Sequence, residues 1–197
     1  MARVLIVYGT SHGHTAKVAR RIALMLSLEG HKLELHQADE LPEGTSLADF
    51  DAVLVGGSVL YGKHQPYLTE FVTRNAKVLN RMPSAFLSVC GALIGTWPEG
   101  PATASKYVSE FIAKTGWRPT VTKSVAGEVA YTRYPFFTRM VMKLISTRTG
   151  RPTDTSRSWI FTDWPDVDRF AATIGKLAET VERQAVPVPE EELAGRA

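Results

Sequence analysis

The sequence predicts an α/β fold: a three-layer sandwich whose five-stranded parallel sheet, in strand order 2-1-3-4-5, lies between layers of helices. Three observations point there. Short, continuous apolar runs alternate with amphipathic stripes of helical period from the first residues onward, as in strand–helix–strand units. The runs lack in–out alternation, which marks strands covered on both faces. The 197 residues, 44% hydrophobic and 22% charged, suit one domain with a sizeable core. Right-handed crossovers then leave few topologies.

Each element follows in turn. Val4–Tyr8 reads as a buried strand ending at Gly9, followed by a helix with Val18, Ala19, Ile22, Met25 and Leu26 on one face, closed by Gly30. Leu33-Glu34-Leu35 alternates, as an edge strand does, and residues 39–51 hold at most a short helix. Ala52–Gly57 is a second apolar strand, and the helix after it carries Leu68, Phe71, Val72 and Leu79 on one side. Ala85–Cys90 is a third, followed by a helix marked by Ala104, Val108, Phe111 and Ile112. Val121–Gly127 reads as a fourth inner strand, and Val167 to Val181 hold helical spacing in the last helix.

Residues 1–184 are therefore expected to form one domain, interrupted by an insertion at 128–157 that is too long for an idle connection. A short strand-like run, Ser158–Phe161, follows it. The tail from residue 185 is proline- and acid-rich and is expected to be disordered.

Composition excludes several classes. One cysteine, Cys90, cannot form an internal disulfide and reads as a small buried apolar residue. No apolar run approaches the roughly 18 residues of a membrane span, and MARVLIVYGTSHGHT does not read as a signal peptide. His31 and His36 flank an edge strand, and no histidine spacing resembles a zinc set. The net charge of +3 matters only where it clusters.

Ligands of such sheets sit beyond the carboxyl ends of the strands. The first loop there is Gly9-Thr10-Ser11-His12-Gly13-His14-Thr15, running directly into a helix. Thr10, Ser11 and Thr15 offer hydroxyls, the glycines let the backbone curl, and a helix N-terminus adds unpaired N–H groups and partial positive charge. These make a phosphate cradle without a lysine. Neither GxxxxGK nor GxGxxG is present.

Thr10-Ser11-His12-Gly13-His14-Thr15 resembles the (Ser/Thr)-x-(Thr/Ser)-Gly-x-Thr phosphate loop of flavodoxins, which implies that it binds flavin mononucleotide (FMN). His12 departs from the pattern, replacing a hydroxyl with an imidazole that would bring partial charge. The resemblance implies two loops flanking the flavin ring: Ser58, Val59, Leu60, Tyr61 and Gly62, with Lys63 beside them, and Val89, Cys90, Gly91 and Ala92. Tyr61 suits stacking, and Gly62 permits close backbone approach.

Between Glu128 and Asp154 there is no acidic residue, while Arg133, Arg139, Lys143, Arg148 and Arg151 give a local charge of +5. Phe136, Phe137, Met140, Val141, Leu144 and Ile145 form a helical stripe beside them. This basic amphipathic helix after the fifth strand has three open readings: packing on the sheet, lying on an anionic membrane surface, or clamping a flat acidic ligand. Its interleaved aliphatic bulk argues against nucleic acid.

Here the chain resembles the flavodoxin-type, quinone-dependent protoporphyrinogen IX dehydrogenases of bacterial haem synthesis. The matching stretches are Tyr61-Gly62, Met82–Phe86, Ser88-Val89, Trp117-Arg118-Pro119, Arg133-Tyr134-Pro135, Lys143-Leu144-Ile145, Thr153-Asp154-Thr155 and Thr162-Asp163-Trp164. The resemblance implies a cytoplasmic flavin enzyme at the inner face of the membrane, with a porphyrinogen as substrate and a membrane quinone as acceptor. Arg133 and Arg139 are its candidates for pairing with substrate propionates. No side chain stands out as an obligatory acid or base. A non-enzymatic electron carrier and a nicotinamide-fed quinone or nitro-compound reductase are the rival readings.

Overall fold

The computed structural model describes residues 1–185, so most of the tail expected to be disordered lies outside the described residues. The parallel sheet consists of β1 (Arg3–Gly9), β2 (Lys32–Gln37), β3 (Ala52–Ser58), β4 (Ser84–Cys90) and β5 (Val121–Ala126), in the order β2-β1-β3-β4-β5. A second, two-stranded antiparallel sheet pairs β6 (Glu128–Val129) with β7 (Trp159–Ile160). The helices are α1 (His14–Leu28), α2 (Pro66–Leu79), α3 (Gly100–Thr115), α4 (Phe136–Arg148) and α5 (Trp164–Ala185).

Alternating side chains of each strand feed two cores. Val4 and Ile6 of β1, with Leu54 and Leu87, pack under Val18, Ile22 and Leu26 of α1 and Val167, Phe170 and Ile174 of α5. Leu5 and Val7, with Val53, Val55 and Phe86, pack under Leu68, Phe71 and Val72 of α2 and Val108 and Phe111 of α3. Trp117, fully buried, caps the second core, and its indole N–H donates to Ser84 Oγ at 3.0 Å. The register aligns Gly9 with Gly57, Ser58 with Val89 and Cys90 with Ala126, so three loops emerge side by side at one edge. The order in which strands are added reverses at β1, with β2 laid on one side of it and β3 to β5 on the other, which opens the crevice between β1 and β3.

One expectation needs correction. Val121–Ala126 is an edge strand, not an inner one: Thr122 is exposed and the Lys123 ammonium reaches Asp166 of α5 at 2.6 Å. Its valines read as core because they do pack there: Val125, with Val121 beside it, joins the core under α1 and α5. Of the three readings open for the α4 stripe, packing on the sheet is not the one observed. Phe136 and Phe137 are 76% and 77% exposed, Met140, Val141, Leu144 and Ile145 are exposed too, and only Ser146 of this helix is buried.

Phe86 is fully buried and stacks on Phe111 with ring centroids 4.6 Å apart. Phe86→Ala is expected to destabilise the chain by about 3–5 kcal/mol in urea unfolding. A loss under about 1 kcal/mol would mean that this core is not close-packed.

Candidate functional site

The loop after β1 is shaped by its own side chains and then left with spare donors. Thr10 Oγ1 accepts the Gly13 N–H at 2.9 Å, and Gly13, at φ +80°, takes the left-handed conformation that aims the chain into α1. Its role as N-cap supplies no side-chain acceptor, and the first turn of α1 holds no acidic residue. Helix-start N–H groups normally find such a partner. Thr15 Oγ1 is fully buried without a hydrogen-bond partner. An anion at the helix start would satisfy both, as a phosphate group does.

Two residues at the start of α2, its N-cap Gln65 and Tyr67 of its first turn, hold this loop against the next. Gln65 Nε2 donates to Ser11 Oγ (2.9 Å) and Ser58 Oγ (2.6 Å), while Ser58 Oγ accepts the Ser11 N–H at 3.2 Å. The Tyr67 hydroxyl accepts the Thr10 N–H at 2.9 Å. Beyond Ser58 the chain makes a tight turn: Leu60 and Lys63 exchange backbone hydrogen bonds of 2.9 and 3.1 Å, with Tyr61 at φ +50° and Gly62 at φ +79°. Positive φ at both central residues is the type I′ signature, and a tyrosine there is strained. The Tyr61 side chain projects outward, 85% exposed, at the mouth of the crevice. Across from it Cys90 is 1% exposed, and burial pushes its thiol pKa up, so it is a packing residue rather than a thiolate.

The insertion is fastened to both loops. Glu128 of β6, its side chain 2% exposed, meets Lys17 Nζ at 3.2 Å, the Arg133 guanidinium and His14 Nδ1 at 3.1 Å. Burial pulls its carboxyl pKa up, but Lys17 and Arg133 outweigh that and hold it below the usual carboxylate range. Arg133 also donates to the His12 carbonyl. At the other end, Arg151 donates to the carbonyls of Gly91 (2.7 Å) and Ile94 (3.1 Å). Gly95, at φ +81°, is crossed so closely that a Cβ would stand 2.4 Å from the Thr149 carbonyl oxygen. Only glycine fits there.

A family model described as a flavodoxin domain matches residues 5–156, more than three quarters of the chain. The chain belongs to the flavodoxin family. A protoporphyrinogen IX dehydrogenase (quinone) of Escherichia coli K12 is 34% identical over 179 residues, covering 90% of this chain and 97% of that protein. A protein of the same name from Leishmania major is 33% identical over 177 residues, 89% of this chain and 75% of its own length. Among solved structures, oxidised flavodoxin 1 from Bacillus cereus superposes with a TM-score of 0.52 at 14% identity, over 88% of this chain and 97% of that one, a likeness of fold.

Against this flavodoxin frame, the sequence-predicted residues Thr10–Thr15, Ser58–Gly62 and Val89–Ala92 lie in adjacent loops at one end of the sheet. Burial, and then Arg133, lower the His12 pKa from its ordinary value, which works against a charge on this imidazole. Arg133 is occupied by Glu128 and His12, whereas Arg139 makes no ion pair among the described residues and reaches the Tyr134 carbonyl at 3.3 Å. Sequence reasoning missed Gln65, Tyr67, Glu128, Arg151 and Thr162. Three of them left a trace without a role: Glu128 as the last acid before a long basic run, Arg151 as one charge within it, and Thr162 in a stretch matching the family.

His64, beneath the Tyr61 turn, is buried against Phe111 (4.8 Å) and Phe86 (5.3 Å), with Nε2 3.1 Å from Ser88 Oγ. Burial lowers its pKa from 6.5 to about 4. Above pH 6.5 neither folded nor unfolded chain is charged there; between 6.5 and about 4 only the unfolded chain takes the proton. Stability should fall over that window, by about 2 kcal/mol at pH 5. Urea unfolding at pH 7 and pH 5 checks this, and the His64→Gln chain should lack most of that slope. Equal slopes in both chains would contradict it.

Proposed function

We propose that the chain is an FMN-dependent dehydrogenase that oxidises protoporphyrinogen IX to protoporphyrin IX and delivers the electrons to a membrane quinone, serving haem biosynthesis. The supporting observation is near full-length similarity to two proteins of that name, joined to a loop whose unmet donors suit a phosphate monoester. Bound there, FMN supplies the two-electron acceptor and donor that the reaction needs. The chain's own groups bind and orient. Ser11, the N–H groups of His12, His14 and Thr15, and Thr15 Oγ1 would hold the phosphate, while the Gly13 N–H stays with Thr10. Val59 to Gly62 and Val89 to Ala92 flank the ring, with Tyr61 covering its outer side. Arg139, without an acidic partner among the described residues, is the better candidate for a substrate propionate, and Arg133 serves the phosphate loop instead.

The exposed face of α4 favours an enzyme working on lipid-soluble partners over a carrier. Its apolar stripe is flanked by exposed Lys143 and Arg148, the pattern of a helix lying in an anionic lipid surface. No helix among the described residues is long and apolar enough to cross a membrane. The proposed location is therefore the cytoplasmic side of the membrane, by peripheral contact.

Purified holoprotein should turn over protoporphyrinogen IX with a menaquinone or ubiquinone analogue and show no turnover with NADH or NADPH as donor. Steady reduction of quinone by NADH would favour the reductase reading, and electron exchange without porphyrinogen turnover the carrier. Thr15→Val should weaken FMN binding ten- to hundredfold, about 1.5–3 kcal/mol for a hydrogen bond to a charged group, measured by flavin fluorescence. Lys143→Glu with Arg148→Glu should cut partitioning onto phosphatidylserine vesicles at least about thirtyfold, since each cation near such a surface contributes about 1 kcal/mol. Unchanged partitioning would remove α4 as the contact.

A further inference from the structure

The side chain of His14 leaves the phosphate loop and turns back into the protein, where it is 6% exposed. Nε2 lies 2.6 Å from Thr162 Oγ1, whose single hydrogen goes to the Ala126 carbonyl at 2.8 Å. Thr162 therefore presents a lone pair to Nε2. Nδ1 lies 3.1 Å from a Glu128 carboxylate oxygen, which also presents only lone pairs. Each ring nitrogen faces an acceptor. A neutral imidazole carries one N–H and leaves one of these contacts as lone pair against lone pair, while an imidazolium satisfies both.

The surrounding charges explain why the proton needs a ligand. Lys17 of α1 and Arg133 of the insertion face the single carboxylate of Glu128, and Trp164 of α5 packs its ring 6.2 Å from the imidazole. The His12 pKa is itself lowered by burial and by Arg133. Two cations against one anion leave no need for a third positive charge. A phosphate dianion at the start of α1 changes the sum: two charges from the phosphate and one from Glu128 are then balanced by Lys17, Arg133 and an imidazolium.

We propose that the phosphate loop binds its ligand together with a proton, which His14 takes up between Glu128 and Thr162. This rests on the reading of the loop as the FMN phosphate site. Without the phosphate, burial is the main influence lowering the His14 pKa; Lys17 and Arg133 add to it and Glu128 opposes it, so the net position is below 6.5. A dianion next to the first turn raises it. Between the two pKa values, FMN affinity falls by up to tenfold per pH unit as pH rises.

The experiment is calorimetric titration of the flavin-free protein with FMN at pH 7, in two buffers of different ionisation enthalpy. The expected result is net uptake of about half a proton or more on binding. A loop without a titrating partner would instead release about a tenth of a proton, because a phosphate monoester with pKa near 6 is still partly protonated at pH 7. His14→Gln should bind FMN with that release and without uptake. In the unsubstituted chain, the His14 ring nitrogens followed by NMR should titrate at higher pH with FMN than without, which needs no variant to fold. Binding with no uptake, uptake retained in His14→Gln, or a His14 titration unmoved by FMN would each overturn the inference. Failure of FMN to bind at all would overturn the cofactor reading instead.

Discussion

The start of α1 is the constraint on which the site depends. A helix that begins at a glycine, with no side-chain acceptor and no acid in its first turn, leaves its opening N–H groups unpaired, and a buried Thr15 hydroxyl beside them also lacks a partner. Such donors are costly to leave unmet. The surroundings maintain them rather than relieve them. Thr10 folds the loop, Tyr67 takes up the Thr10 amide, and Gln65 and Ser58 tie Ser11 to the neighbouring strand end. The loop is thereby held open for an anion, so little ordering remains when one binds.

The insertion belongs to the same construction. Arg133 fixes one end to the phosphate loop, and Arg151 fixes the other to the loop after β4. Between these points α4 turns its apolar residues outward. A segment held at both cofactor loops and bare on its far side is suited to bring a lipid surface near the crevice without crossing it. Glu128 is central to this arrangement: removing a partner of a buried carboxylate leaves an uncompensated charge, which costs more than the pair itself contributes.

Much of the fold was legible because periodicity reports burial directly. The runs at Val4–Tyr8, Ala52–Gly57 and Ala85–Cys90 and the stripes of α1, α2, α3 and α5 gave elements correct to within a few residues at their ends. Where the pattern fell short, the reason is physical. An amphipathic stripe has the same spacing whether it faces a sheet or a lipid surface, so α4 could not be placed from its pattern. Val121 to Gly127 carries core-like valines, yet Thr122 and Lys123 belong to an edge. At the site, the loop residues were visible as a contiguous motif, whereas the groups that shape them were not. Thr162 meets His14 across 148 residues and Glu128 meets it across 114. No local spacing encodes such pairs; Arg151 appeared only as one charge in a run.

Binding of FMN compared with riboflavin to the flavin-free chain tests the central claim most directly, because the two differ only by the phosphate. Equilibrium fluorescence titration should give one tightly held FMN per chain and far weaker binding of riboflavin. Equal affinity for the two, or no binding of either, would contradict the assignment of the β1–α1 loop as a phosphate site.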